Sequence, residues 1–220
     1  MILIKPSFEI LDPDFDIRSE GLWMIQRIEQ AGRVCYKSEE KGTPGSANKF
    51  VAGLIKSGHE SVIEHEKVTV KIICDRGISH EIVRHRLASY SQESTRYCDY
   101  SGGVTFVIPP WVDFEPGEYD YAKGIFNKDD IWFNTMTYAE ESYKALIAYG
   151  WSPQQARSVL PNSLKTEIVM TCNLREWRLF FKLRTSTKAH PQMREIAIPM
   201  LVKFKELIPV IFDDIETPQV

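Results

Sequence analysis

The sequence predicts an α+β fold, a helix-rich single domain over residues 1–220 built around a small, mainly antiparallel sheet. Three observations carry that expectation. Stretches with helical periodicity outnumber those with the two-residue period of a strand. The two kinds do not alternate regularly, as a doubly wound sheet would require. At 220 residues, with 43% hydrophobic and 26% charged side chains, the chain can bury a sizeable core and has the composition of a globular protein.

Met1–Leu11 alternates as an opening strand, and the DPDFD segment at Asp12–Asp16 reads as the turn behind it. From Ser19 to Tyr36, Leu22, Ile25, Ile28 and Ala31 recur at the spacing of an amphipathic helix. A polar loop, Lys37–Ser46, leads to a short helix whose end is marked by Gly58, a left-handed cap. In Glu66–Asp75, Val68, Val70, Ile72 and Cys74 alternate with other residues, the clearest strand in the chain. Arg76–Arg86 reads as a helix, followed by a hydroxyl-rich loop. Residues 99–128, punctuated by Pro109, Pro110, Pro116 and several glycines, read mostly as loop with a short strand at Gly103–Ile108. Asp129–Gly150 is a long helix closed by its glycine, and Ser152 followed by Pro153 opens another. Lys165–Asn173 is a strand. Asn173 and Glu176 sit three apart, as in a capping box that starts the helix through Arg184. The last helix is expected over Pro191–Phe212 with a bend at Pro199.

The net charge of −3 removes the basic excess that nucleic acid or acidic membrane surfaces demand, so any anion site must be local. No apolar run approaches the roughly 18 residues of a membrane span, and the N-terminus lacks the basic and apolar regions of a signal peptide. Cys35, Cys74, Cys98 and Cys172 are scattered, which fits reduced thiols and a cytoplasmic location. The glycine-rich loops of dinucleotide and triphosphate sites and the nucleophile elbow of hydrolases are missing.

A metal site is a poor fit to this chain. His80 and His85 are five apart, a rotation of about 500° on a helix, and Arg84 occupies the place of a second ligand. His59, Glu64 and His65 show no ligand spacing. Cys74 and Cys172 fall on strands and read as packing residues, leaving Cys98 as the one loop thiol near arginines. The arginine-rich stretch from Glu81 to Tyr97 is more pointed. On a helix reaching Arg86, Glu81 would share a face with Arg84 and His85. Ser89, Ser91, Ser94 and Thr95 then offer hydroxyls and amides to phosphate oxygens, and Arg96 a planar fork. The plainer reading is a solvated basic face paired with Glu81 and Glu93. A second set comprises Arg157, Arg175, Arg178 and Arg184. Arg175 lies in a first helical turn, where the dipole disfavours a cation unless an anion compensates; Arg178 reads as an ordinary surface arginine.

Arg84-His85-Arg86, seven residues, then Ser94 resembles the signature of the flavin-dependent thymidylate synthases. The likeness extends through Gly58–His65 (GHESVIEH) upstream and through ARSVLP, CNLREW and AHPQMRE downstream, roughly Gly58 to Ile196 with a poorly matched middle from 99 to 150. It implies conversion of dUMP to dTMP, with methylenetetrahydrofolate as carbon donor, NADPH as reductant and bound FAD. It also implies a homotetramer with shared active sites, and neither nucleic acid nor membrane as partner. Carried over by position, Arg84, His85, Arg86, Ser61, His59, Gln92, Asn173 and Arg175 contact FAD. Glu81, Arg84, Gln92, Ser94, Thr95, Arg96, Arg157 and Arg184 line the dUMP site. Arg184 is the catalytic residue, favouring the ionised pyrimidine, and His190 and Gln192 approach flavin or folate. Two positions depart from the family: Glu81 replaces a glutamine of some members, and Leu179 a polar FAD contact. The competing readings are a metal-dependent hydrolase using His59, Glu64, His80 and His85, and a non-catalytic nucleotide-binding module.

Overall fold

The computed structural model describes residues 1–12, 20–120 and 124–218. In chain order its elements are β1 (Ile2–Ile4), β2 (Ser7–Ile10), α1 (Glu20–Val34), α2 (Ser46–Lys56), β3 (Lys67–Asp75), α3 (Arg76–Ile82), β4 (Ala88–Gln92), β5 (Thr105–Val107) and β6 (Gly117–Glu118). There follow α4 (Lys128–Ala148), α5 (Pro153–Ala156), β7 (Lys165–Asn173), α6 (Leu174–Arg184), α7 (Pro191–Leu207) and α8 (Pro209–Phe212), with 3-10 turns at Glu39–Lys41, Glu60–His65 and Arg157–Val159. The α+β class is borne out. The strands form two sheets, one ordered β5-β1-β6 and the other β2-β3-β7-β4.

The chain packs as two compact units. The first comprises Met1–Ser7, Ile72–Arg84 and Ser91–Ile168; the second comprises Phe8–Lys71, His85–Tyr90 and Val169–Val220. The expected opening strand is therefore two. Pro6 lacks an amide hydrogen and interrupts the ladder between β1 and β2, which belong to different sheets. Of the expected DPDFD turn only Asp12 is described, and its carboxylate accepts from the Thr69 amide at 2.8 Å; Ser19 also lies outside the described residues.

In the first unit β1 is central, parallel to β5 and antiparallel to β6, with Leu3 opposite Phe106 and Gly117. Leu3, Phe106 and Ile108 pack with Phe133, Met136 and Tyr143 of α4. Asn127 caps α4 in a reciprocal box with Asp130, and Gly150, at φ +89°, closes it in the left-handed conformation that glycine adopts without a steric penalty. The Met1 amine is buried against Glu140 at 2.7 Å. Burial works against the Glu140 carboxylate, but hydrogen bonds from that amine, the Val104 amide and Lys144 hold its pKa below the ordinary value.

In the second unit α1 turns Met24, Ile25 and Ile28 inward and leaves Leu22 exposed, so its buried stripe is offset from the one expected. Gly58 at φ +71° ends α2 as expected. Trp177, Phe180 and Phe181 of α6 form an aromatic core with Phe204 and Phe212, ring centroids 5.0–5.7 Å apart. The Trp177 indole donates to the Val68 carbonyl at 3.0 Å. Arg178 is the clear correction here. It is 2% exposed rather than a surface residue, and its guanidinium binds Glu60 (3.0 Å), both Asp214 oxygens (2.6 and 2.7 Å) and the Ile211 carbonyl. The last helix also differs. It continues through Pro199 and breaks at Ile208, because a residue before proline is driven from the helical region.

Candidate functional site

Two clusters hold the residues that the sequence singles out, one in each unit. The first begins at α3, where the Asp75 carboxylate accepts from the Ile78 amide at 2.8 Å. The helix stops at Ile82, four residues short of expectation. Seven helical residues have little stability of their own, and the following Ala88–Gln92 run gains ladder hydrogen bonds as β4. Glu81 and His85 therefore share no helix face. The boundary between the compact units falls between Arg84 and His85, so the Arg-His-Arg triplet is split. Ser89 and Ser91 lie on the exposed side of β4 rather than in a loop.

Beyond β4 the chain turns, and the Ser94 hydroxyl accepts from the Arg96 amide at 3.3 Å. Thr95 is buried, and its hydroxyl accepts from Arg157 Nη1 at 3.0 Å, across 62 residues of sequence. Arg96 is exposed, its guanidinium 5.3 Å from the Tyr97 ring centroid. Gln92 donates its amide to two hydroxyls, Ser79 at 2.9 Å and Thr166 at 3.2 Å, both on fully buried residues. Those contacts orient its carbonyl away from the pair. Glu93 does not neutralise the arginines; it binds Lys165 at 3.1 Å and accepts from Tyr100 at 2.8 Å. This cluster thus brings together Gln92, Ser94, Thr95, Arg96 and Arg157 on short local contacts. Arg84 is exposed and Glu81 half-buried on the same unit. Sequence reasoning missed Ser79 and Thr166, because isolated hydroxyls in a helix and a strand carry no sequence signal.

The second cluster centres on His85, 4% exposed, with Nδ1 2.8 Å from Glu176 Oε1 and Nε2 3.1 Å from Arg184 Nε. Arginine stays protonated, so Arg184 donates and His85 Nε2 must accept. The Nδ1 proton then points at Glu176. Burial pushes the imidazole pKa below its ordinary value; the Glu176 hydrogen bond opposes that, and the Arg184 charge reinforces it. The ring packs against Phe180 at 5.0 Å, and the Tyr90 hydroxyl donates to the His85 carbonyl at 2.6 Å. Glu176 corrects the capping-box reading. Asn173 does accept from the Glu176 amide at 2.8 Å, but the Glu176 carboxylate goes to His85. Its position four before the buried Phe180, on one helix face, was the available signal.

Also in the second unit, a pocket of about 410 Å³ is lined by Leu87, Asn173, Arg175, Leu179 and Lys182 together with three carboxylates, Glu60, Glu64 and Glu176. The anion that compensates first-turn Arg175 is Glu64, at 2.5 Å. His59 and Ser61 are exposed on the turn that carries those glutamates, and Arg86 is exposed as well. Lys182 is likewise paired, with Glu60 at 3.7 Å. Arg175 and Lys182 can hold a pyrophosphate that displaces these carboxylates, and Leu87 (73% exposed) and Leu179 offer apolar surface to a flat ring. A phosphate there would take over Glu64's role against Arg175. His190 is exposed at the start of α7, and Gln192 is half-buried in the first turn of that helix; neither lines the pocket. Cys74 and Cys172 are buried, and burial pushes both thiols well up. Among the described residues no group of three or more His, Cys, Asp or Glu is placed to hold a metal, and no helix is long and apolar enough to cross a membrane.

Comparison with known proteins gives one consistent result. Residues 24–210 match the family of the thymidylate synthase complementing protein. The flavin-dependent thymidylate synthase of Corynebacterium glutamicum is 34% identical over 86% of this chain and 78% of its own length. That of Mycobacteroides abscessus is 33% identical over 98% and 88%. Among solved structures, the UMP/dUMP methylase PolB of Streptomyces cacaoi, bound with 5-Br dUMP, superposes with a TM-score of 0.74 at 27% identity, covering 99% of this chain and 100% of that one. The chain belongs to the thymidylate synthase complementing protein family, that of the flavin-dependent thymidylate synthases.

Proposed function

We propose that residues 1–220 act as one flavin-dependent thymidylate synthase domain that methylates dUMP reductively to dTMP. Methylenetetrahydrofolate is the carbon donor and NADPH the reductant, in a cytoplasmic homotetramer with shared active sites. The observation that carries this reading is the Arg157–Thr95 hydrogen bond. It joins the ARSVLP segment to the Ser94–Arg96 turn, two motifs of one family that are remote in sequence.

In this reading Ser94, Thr95, Arg96 and Arg157 take the dUMP phosphate, with Gln92 turned towards the sugar or base and Glu81 and Arg84 at the edge of the site. His59, Ser61, Arg84, His85, Arg86, Gln92, Asn173 and Arg175 hold FAD, which when bound supplies the hydride that the reaction needs. Arg184 stabilises the negative charge of the ionised pyrimidine, the preorganised electrostatic role in which a fixed guanidinium is most effective. His190 and Gln192 approach flavin or folate.

The purified protein should be yellow and form dTMP from dUMP only with methylenetetrahydrofolate and a reductant. A colourless protein that cannot be reconstituted with FAD would overturn the reading. Because PolB is a UMP/dUMP methylase, UMP is the competing substrate to assay beside dUMP.

A further inference from the structure

Glu176 has a buried carboxylate that the start of its helix does not use. The amide of Glu176 completes the cap on Asn173, while the side chain, 5% exposed, reaches His85. A buried carboxylate is costly unless it is hydrogen-bonded, and this one is bonded to His85 Nδ1 at 2.8 Å. The chain of groups has a fixed direction. Arg184 Nε can only donate, and it lies 3.1 Å from His85 Nε2; Glu176 Oε1 lies 2.8 Å from Nδ1. An Nε2–H tautomer, or an imidazolium, would set one N–H against another at the Arg184 contact. The carboxylate removes that option by taking the Nδ1 proton as its own hydrogen bond.

We propose that Glu176 is a positioning residue for the reaction: it holds His85 as the Nδ1–H tautomer, so that the Nε2 lone pair receives Arg184 Nε and sets the direction of the guanidinium. The surroundings support a held ring rather than a titrating one. Phe180 covers it, Tyr90 fixes its backbone carbonyl, and the charged or titratable groups around it are Glu176 and Arg184 of α6, Tyr90 of β4 and Cys172 of β7. Glu176 also lines the pocket of about 410 Å³, and its part in this scheme is to orient His85. It acts on the pyrimidine only through His85 and Arg184, and the proposal rests on the reading of Arg184 given above.

The test is the nitrogen chemical shifts of His85 in histidine-labelled protein at neutral pH, taken beside the kcat and KM for dUMP. Wild type should show a neutral ring with the proton on Nδ1. Glu176→Leu should populate the Nε2–H form and lower kcat roughly ten- to hundredfold, as loss of carboxylates that orient metal-bound histidines does, with KM for dUMP little changed. Glu176→Gln, which keeps an acceptor of the same shape, should retain the Nδ1–H form and most of the turnover. An Nε2–H or doubly protonated ring in wild type would overturn the proposal without any variant being needed. So would a tautomer change in either variant that leaves kcat unmoved, or a Leu variant that keeps both the Nδ1–H form and wild-type turnover. A wild type that makes no dTMP would instead overturn the reading of the function, while its nitrogen shifts would still report the tautomer.

Discussion

The two clusters draw on similar side chains and treat them differently. Around Ser94 and Arg157 in the first unit, Arg96 and Arg157 are exposed; Arg157 donates to the hydroxyl of Thr95, the buried anchor, and the Arg96 guanidinium lies over the Tyr97 ring. In the second unit His85 and Glu176 are buried against each other, and Arg178, elsewhere on α6, is buried against Glu60 and Asp214. An exposed guanidinium is free to trade water for a ligand's phosphate at little cost. A buried one is already committed, so it serves geometry. The guanidiniums of the stretch from Arg84 to Arg96 are all exposed, and what it gives the second cluster is the buried His85, because Arg84 and Ser91–Arg96 belong to one compact unit and His85–Tyr90 to the other.

That contrast predicts which quantity each substitution moves. Arg184→Ala carries the largest effect, a loss of turnover of roughly 10²- to 10³-fold, comparable with removal of one oxyanion donor. The flavin absorbance of the purified variant should persist. Retained turnover would remove Arg184 from catalysis and with it the functional half of the contrast. Next comes Arg178→Met, which removes the cation between Glu60 and Asp214 and leaves the Ile211 carbonyl without this donor. Breaking a buried pair costs about 3–5 kcal/mol; the lower end, about 3 kcal/mol, applies because Asp214 is half exposed and can rehydrate. Denaturant unfolding reads this directly, and an unchanged midpoint would show that the buried cluster is not tightly held.

Arg157→Ala tests the exposed cluster. Loss of a charge-assisted hydrogen bond of about 1.5–3 kcal/mol should lower kcat/KM for dUMP by roughly ten- to hundredfold, chiefly through KM. If kcat alone fell, the first cluster would be acting on chemistry rather than binding. The smallest effect belongs to Glu64→Gln. Both it and its partner Arg175 are exposed, so the pair is screened by water and the unfolding midpoint should not move. A clear destabilisation would mean that the rim of the pocket is more rigid than its exposure implies.

Much of the framework was legible from local pattern. The alternation of Val68, Val70, Ile72 and Cys74, the glycine ends at Gly58 and Gly150, and the Ser152–Pro153 start all hold, since each depends on residues within a few positions. The misses share a cause. Where α3 stops, where the last helix breaks and where Arg178 points depend on partners far along the chain, and Arg178 meets Asp214 36 residues away and Glu60 118 residues away. Spacing alone reads Asn173 and Glu176 as a box; only the presence of His85, 91 residues earlier, turns the carboxylate aside.

By itself, the sequence determined the class of fold and the family. Those follow from short-range periodicity and from motif spacing, both of which are written along the chain. Tertiary structure alone decided the division of one arginine-rich stretch between two compact units, the burial of His85 within it, and the path from Glu176 through His85 to Arg184. Burial, tautomer and hydrogen-bond direction arise from groups that folding brings together from remote positions, and no local pattern encodes them.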